Sequence, residues 1–72
     1  MRFGLKMAIM RKVRDMKQAD VAAIIGTSRT QVSFYENGWA PDDNTARDIR
    51  FALGWGPEHD ALLDGLEKVH ES

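Results

Sequence analysis

Residues 26–38 read Gly26-Thr27-Ser28-Arg29-Thr30-Gln31-Val32-Ser33-Phe34-Tyr35-Glu36-Asn37-Gly38, and this stretch decides the fold. A glycine stands at each end. The Ser28 hydroxyl can accept a hydrogen bond from a free backbone N–H of the following turn, so Ser28 caps a helix start. Asn37-Gly38 stops that helix. The spacing predicts a helix from about Arg29 to Glu36. Val32 and Tyr35, three residues apart, face inward. Arg29, Thr30, Ser33 and Phe34 then share the outer side, at i, i+1, i+4 and i+5.

That outer face carries a guanidinium, two hydroxyls and one ring, without the Glu/Lys pairs of a merely solubilising surface. Small side chains let a helix approach another surface closely. An arginine near a helix start can reach a guanine edge with two hydrogen bonds, and a ring or threonine methyl can meet a thymine methyl. The alternative reading is an ordinary solvated helix face.

Working outward, four further helices are predicted and no segment alternates with a period of two, so the fold class is all-α. The first helix runs from about Gly4 to Arg14. It carries two apolar stripes, Phe3-Met7-Met10 and Leu5-Ile9-Val13. Two stripes imply a second contact surface, either on another helix of the chain or on a partner chain. The second helix covers Gln18 to Ile25, buries Val21, Ala22 and Ile25, and ends at Gly26. The fourth runs from about Asp43 to Leu53, with Ala46, Ile49 and Leu53 inside and acids at its positive end. The fifth opens at Pro57-Glu58 and extends to about His70. Leu62, Leu66 and Val69 lie on one side with Leu63 nearby, and Asp60 and Asp64 leave it acidic outside.

The 72 residues bound the chain to one domain with a modest core. With no cysteine and only His59 and His70, neither a disulfide framework nor a zinc site is expected, and no cofactor. The start is basic, but Lys6 breaks its apolar run, so neither a signal peptide nor a membrane span is expected and a cytoplasmic protein is the default. Net charge is −1, yet the charge is uneven. Residues 1–53 hold nine Lys and Arg against six Asp and Glu, and residues 54–72 hold one Lys against five acids. A local basic patch can bind an anion although the total is near zero.

Residues 7–38 resemble the helix-turn-helix of the lambda-type phage repressor and Cro family, also called the XRE family. The resemblance rests on Arg11, Gln18, Val21, Ala22, Ile25, Gly26, Ser28, Val32 and the run Glu36-Asn37-Gly38. Ala22 matches the small residue that lets the two motif helices pack closely, and Gly26 the turn glycine. The resemblance implies a compact four- to five-helix lambda-repressor-like domain over residues 1–72. Within it, the motif spans 18–37 and a C-terminal helix over 55–72 is a candidate dimer contact.

The roles it implies attach to single residues. Gln18 resembles the glutamine that bonds a DNA phosphate and braces the recognition helix. Arg29 and Thr30 match base-reading positions, with base or sugar contact expected for Ser33 and Phe34. Ser28 is both cap and phosphate contact. Gln31 reaches a phosphate or a flanking base, or simply lies to the side. Asn37 meets phosphate just past the helix. Arg11 and Glu36 match a partly buried salt bridge joining the first helix to the end of the third.

Some positions depart from the family pattern. Lys17 stands where a Ser or Thr cap is usual. Asp15 replaces a turn glycine, and Asp tolerates that conformation better than most residues. Trp39-Ala40 replaces a longer, basic loop. Trp39 has three readings, of which a core cap is preferred over the sugar-phosphate surface and a dimer contact. Arg47 and Arg50 are read as solvent-facing, the pair to Asp43 being open to them.

The resemblance implies a sequence-specific regulator that binds double-stranded DNA through the major groove as a homodimer. It suggests a phage-type Cro or compact repressor, with no room for a self-cleaving or ligand-sensing domain. Candidate dimer contacts are Trp55, Leu62 and Leu66. The alternatives are an antitoxin with a protein partner, a restriction-modification controller, and a protein-interaction module that has lost DNA binding. Catalysis is not expected. The chain offers no nucleophile–base arrangement, phosphate-cradling glycine loop or paired-carboxylate pocket.

Overall fold

The computed structural model describes the backbone of residues 1–71 and the side chains of residues 1–68. Five helices follow one another: α1 Phe3–Val13, α2 Gln18–Ile25, α3 Arg29–Glu36, α4 Asp43–Ala52 and α5 Pro57–Glu71. No strand occurs among the described residues. No helix of the described residues is long and apolar enough to cross a membrane.

The helix ends follow from local chemistry. Asp15, at φ +56°, makes the left-handed turn between α1 and α2. Gly26, at φ +76°, ends α2 in the left-handed region, which costs glycine no steric strain. Lys17 has no hydroxyl to cap α2, but its backbone N–H donates to the Asp20 carboxylate at 2.8 Å, three residues on. Half of a capping box is thus present without the usual Ser or Thr. Ser28 Oγ accepts the Gln31 N–H at 3.1 Å, and Asp42 Oδ1 accepts the Thr45 N–H at 2.7 Å. The bonds to Thr45 hold the Asp42 carboxyl below its ordinary pKa.

Met7, Met10, Val21, Ala22, Val32, Ile49, Leu53, Trp55 and Leu63 form the buried core. Helix α2 packs on α3 and α4, and α1 packs on α3. The α1–α3 approach depends on Gly4. A Cβ there would fall against the Tyr35 carbonyl oxygen and within 2.7 Å of the Glu36 carbonyl oxygen.

Helix α5 divides its leucines between core and surface. Leu63 is its buried residue, whereas Leu62 and Leu66 face outward at 66% and 54% exposure. Val69, expected on the same side, lies outside the described side chains. Asp60 and Asp64 do not form an acidic outer face. Lys6 Nζ donates to Asp60 at 3.1 Å and to Asp64 at 3.2 Å. The N-terminal amine lies 3.3 Å from Asp64 and 2.9 Å from Glu67. These cations sit on α1 or just before it, so the acids tie α5 to the start of the chain.

Arg50, half-buried, reaches across to α5. It does not pair with Asp43: its Nη1 donates to Asp60 Oδ2 at 2.9 Å. Its guanidinium lies 4.3 Å from the Trp55 ring centroid, and a planar cation of this kind stacks favourably on an aromatic face. Trp55 itself is 4% exposed, packs against Phe3 at 4.9 Å between centroids, and donates from Nε1 to Asp60 Oδ1 at 3.0 Å. It belongs to the core of its own chain, which corrects its assignment as a dimer contact. Burial opposes ionisation of Asp60, but hydrogen bonds from Arg50, Lys6 and Trp55 outweigh it and hold the carboxyl below its ordinary pKa.

Candidate nucleic-acid interface

Helix α3 buries Val32 and Glu36 and partly buries Tyr35. Arg29, Thr30 and Phe34 are exposed, and Ser33 and Gln31 are half-buried beside them. The outer face is therefore a guanidinium at the helix start, a hydroxyl next to it, and a ring one turn further on. Ser28 is exposed ahead of the helix with its Oγ committed to the Gln31 N–H. Asn37 Nδ2 donates to the Ser33 carbonyl oxygen at 2.7 Å, closing the helix end.

A polar cluster fixes this helix from behind. Arg11 Nε donates to Glu36 Oε2 at 2.7 Å, and Arg11 Nη2 donates to Glu36 Oε1 at 3.2 Å. Arg11 Nη1 also donates to the Met16 carbonyl oxygen at 3.0 Å. Gln18 Nε2 donates to Glu36 Oε1 at 3.2 Å. One carboxylate thus ties α1 and the start of α2 to the end of α3. All its charge is met by donors, as a buried carboxylate requires. Gln18 uses one amide hydrogen on Glu36, and the other remains to donate outward.

Arg11, Lys17, Gln18, Ala19 and Arg29 line one shallow depression at the start of α2 and α3. Lys17, Arg29, the Gln18 amide and the positive end of α2 converge there, with the Arg11 charge already met by Glu36, and this set suits an anion such as a phosphate. Lys17 did not figure among the sequence-derived contact residues. Its signal was its position: a cation at the N-cap of α2, next to Gln18.

Beyond α3, Trp39 is 62% exposed, which corrects its reading as a core cap. It stacks on Phe34 with centroids 4.8 Å apart and planes 17° from parallel. Its backbone N–H donates to the Phe34 carbonyl oxygen at 3.0 Å. The turn through Gly38, at φ +115°, folds the indole back over the end of the helix.

Residues 7–54 match a family model described as Helix-turn-helix, and that match covers most of the chain from the middle of α1 through the end of α4. The chain belongs to the XRE-type helix-turn-helix family. This family is lambda repressor-like and all-α, in agreement with the five helices. No curated protein and no solved structure matches the chain to the same standard. Helices α2 and α3 both lie wholly within the matched residues. The match stops at Gly54, so α5 lies outside it.

The family is one of DNA-binding transcriptional regulators, not of enzymes. The α3 face and the depression at the start of α2 both lie within the residues that match the family.

Proposed function

We propose that this XRE-type regulator reads an inverted-repeat operator as a homodimer, in the manner of a Cro or compact repressor. Arg29 and Thr30 read base edges in the major groove, and Ser33 and Phe34 contact bases or sugars farther along α3. Gln18, Ser28 and Asn37 meet phosphates, with Gln31 at a phosphate or flanking base. Lys17 adds positive charge around Gln18. The observation that carries this reading is the division of α3. Val32 and Glu36 are buried, while Arg29, Thr30 and Phe34 are exposed.

Dimerisation is supported by the weakness of a single contact set. A monomer that neutralises only a few phosphates binds faintly at physiological salt. Two copies would place their α3 helices roughly 34 Å apart on half-sites one turn apart. Leu62 and Leu66 on α5, with Leu5 at 42% exposure on α1, offer apolar surface for a second copy. Met1, Leu5, Ile9, Leu66 and Glu67 line a groove between the two helices. The α5 acids and that groove belong to a different part of the chain from Arg29 and Lys17, so a dimer through this face leaves the basic surface free.

The test is binding to a selected duplex followed by fluorescence anisotropy. Arg29→Ala is expected to cost about 1–3 kcal/mol on the best site and to relax preference at one position. Gln18→Ala is expected to weaken all sequences more evenly. Equal, sequence-independent losses in the two variants would remove the division into reading and bracing.

A further inference from the structure

The Phe34–Trp39 stack is unaccounted for by the helix-turn-helix itself. Burial does not explain it, since Phe34 is 41% and Trp39 62% exposed. Two large rings held parallel at 4.8 Å in solvent are costly to leave bare, and they occupy the reading face. We propose that the pair is a pyrimidine-methyl reader: Phe34 makes apolar contact with a thymine C5-methyl, and Trp39 positions the Phe34 ring to do so. The inference rests on the assignment of α3 to the major groove.

Placement supports it. Phe34 follows Arg29 by five residues, so it lies about 7.5 Å further along the helix axis. That is roughly two base-pair steps at about 3.4 Å each. An arginine that engages a guanine would therefore put the Phe34 ring beside a base pair one or two steps away. The major-groove edge of thymine offers a methyl group, the one apolar feature by which the four base pairs differ there.

Trp39 supplies what an exposed phenylalanine lacks. A lone ring on a helix surface samples several rotamers, and ordering it on binding costs entropy. The indole covers one face of the Phe34 ring. The Trp39 backbone N–H donates to the Phe34 carbonyl oxygen at 3.0 Å, which holds the Trp39 main chain beside the ring its indole stacks on. Phe34 keeps 41% exposure despite that cover. A ring pre-set in one orientation discriminates a methyl from a hydrogen better than a mobile one. No cation takes part, so the contact adds sequence preference without adding to the salt dependence of binding.

The experiment compares thymine with deoxyuridine, which differs only by the missing methyl. Duplexes are first selected from a random library with the wild-type protein. Each enriched thymine is then replaced singly by deoxyuridine, and affinities are measured for wild type, Phe34→Ala, Trp39→Ala and Trp39→Phe. In wild type, one thymine per half-site is expected to lose about three- to fivefold on replacement, the scale of one buried methylene. The thymine-to-deoxyuridine ratio should fall to about one in Phe34→Ala, shrink in Trp39→Ala, and recover in Trp39→Phe. The preference set by Arg29 should persist in all four proteins.

Enrichment without any methyl dependence would overturn this inference and leave the groove assignment standing. Full methyl discrimination in Trp39→Ala would overturn the positioning role. A library that enriches no sequence would overturn the inference and the groove assignment together. Trp39 is exposed and outside the core, so its variants are expected to fold as the wild type does.

Discussion

Glu36 sits at the end of α3 and is held by Arg11 through two separate hydrogen bonds, at 2.7 and 3.2 Å, with side-chain exposures of only 8% and 13%. This single carboxylate sets the angle at which α3 leaves α1 and α2. Removing one partner strands the other charge in a poorly solvated site. Glu36→Ala is expected to cost about 3 kcal/mol, as breaking a buried pair does. Ser33→Ala, at the edge of the exposed face, is expected to stay within about 0.5 kcal/mol. Urea unfolding of the two variants checks the order, and a larger loss in Ser33→Ala would remove the ion pair as the organiser of α3.

Two glycine-to-alanine changes should have opposite signs. At Gly4 a methyl meets backbone carbonyls of Tyr35 and Glu36, which cannot move aside as a flexible side chain could. Gly4→Ala is therefore expected to destabilise by about 1–3 kcal/mol through overpacking. Gly65 lies within α5 with nothing near a built Cβ. Gly65→Ala is expected to stabilise by about 0.5–1 kcal/mol through helix propensity. Melting temperatures of both variants against wild type decide the matter.

Acid should weaken the attachment of α5. The Asp60 carboxyl is held below its ordinary pKa by Arg50, Lys6 and Trp55 against the opposing effect of burial. That of Asp64 is held low chiefly by Lys6. A carboxyl whose pKa is lower folded than unfolded binds fewer protons in the folded state. Its stabilisation is present above the unfolded value, about 3.9, and is lost as pH falls below that through the folded values. Asp60→Asn should flatten the acid limb of the stability curve measured by urea unfolding between about pH 5 and 2. An unchanged acid limb would show that the network contributes nothing measurable.

The two tryptophans should differ sharply to a solvent quencher. Trp39 is 62% exposed and Trp55 is 4% exposed with its Nε1 bonded to Asp60. In Trp55→Phe the remaining emission should be readily quenched by acrylamide, and in Trp39→Phe it should resist. Equal quenching would contradict the assignment of Trp55 to the core.

Much of this was legible from sequence because it is written locally. Gly26, Ser28 and Asn37 mark the ends of α2 and α3, and the bounds Gln18–Ile25 and Arg29–Glu36 agree with the structure. The outward direction of Phe34 followed from the spacing to Val32. What failed was non-local. Lys6 and the N-terminal amine lie 54 to 63 positions from the acids they meet, Asp60 and Asp64, so these acids looked like solvent-facing charges. Arg50 was read without its partners, because its stack on Trp55 and its bond to Asp60 cross the turn between α4 and α5. The roles of the two tryptophans were exchanged because hydrophobicity alone cannot tell a core ring from a stacked exposed one. Gly4 was legible only as a helix start, since the carbonyls it admits belong to α3.

The most direct measurement is selection of bound duplexes from a random library at low salt with the wild-type protein. The expected result is enrichment of a short inverted repeat whose half-sites lie one helical turn apart. Binding without any enriched sequence, or no binding at low salt, would contradict a regulator that reads DNA through Arg29, Thr30 and Phe34.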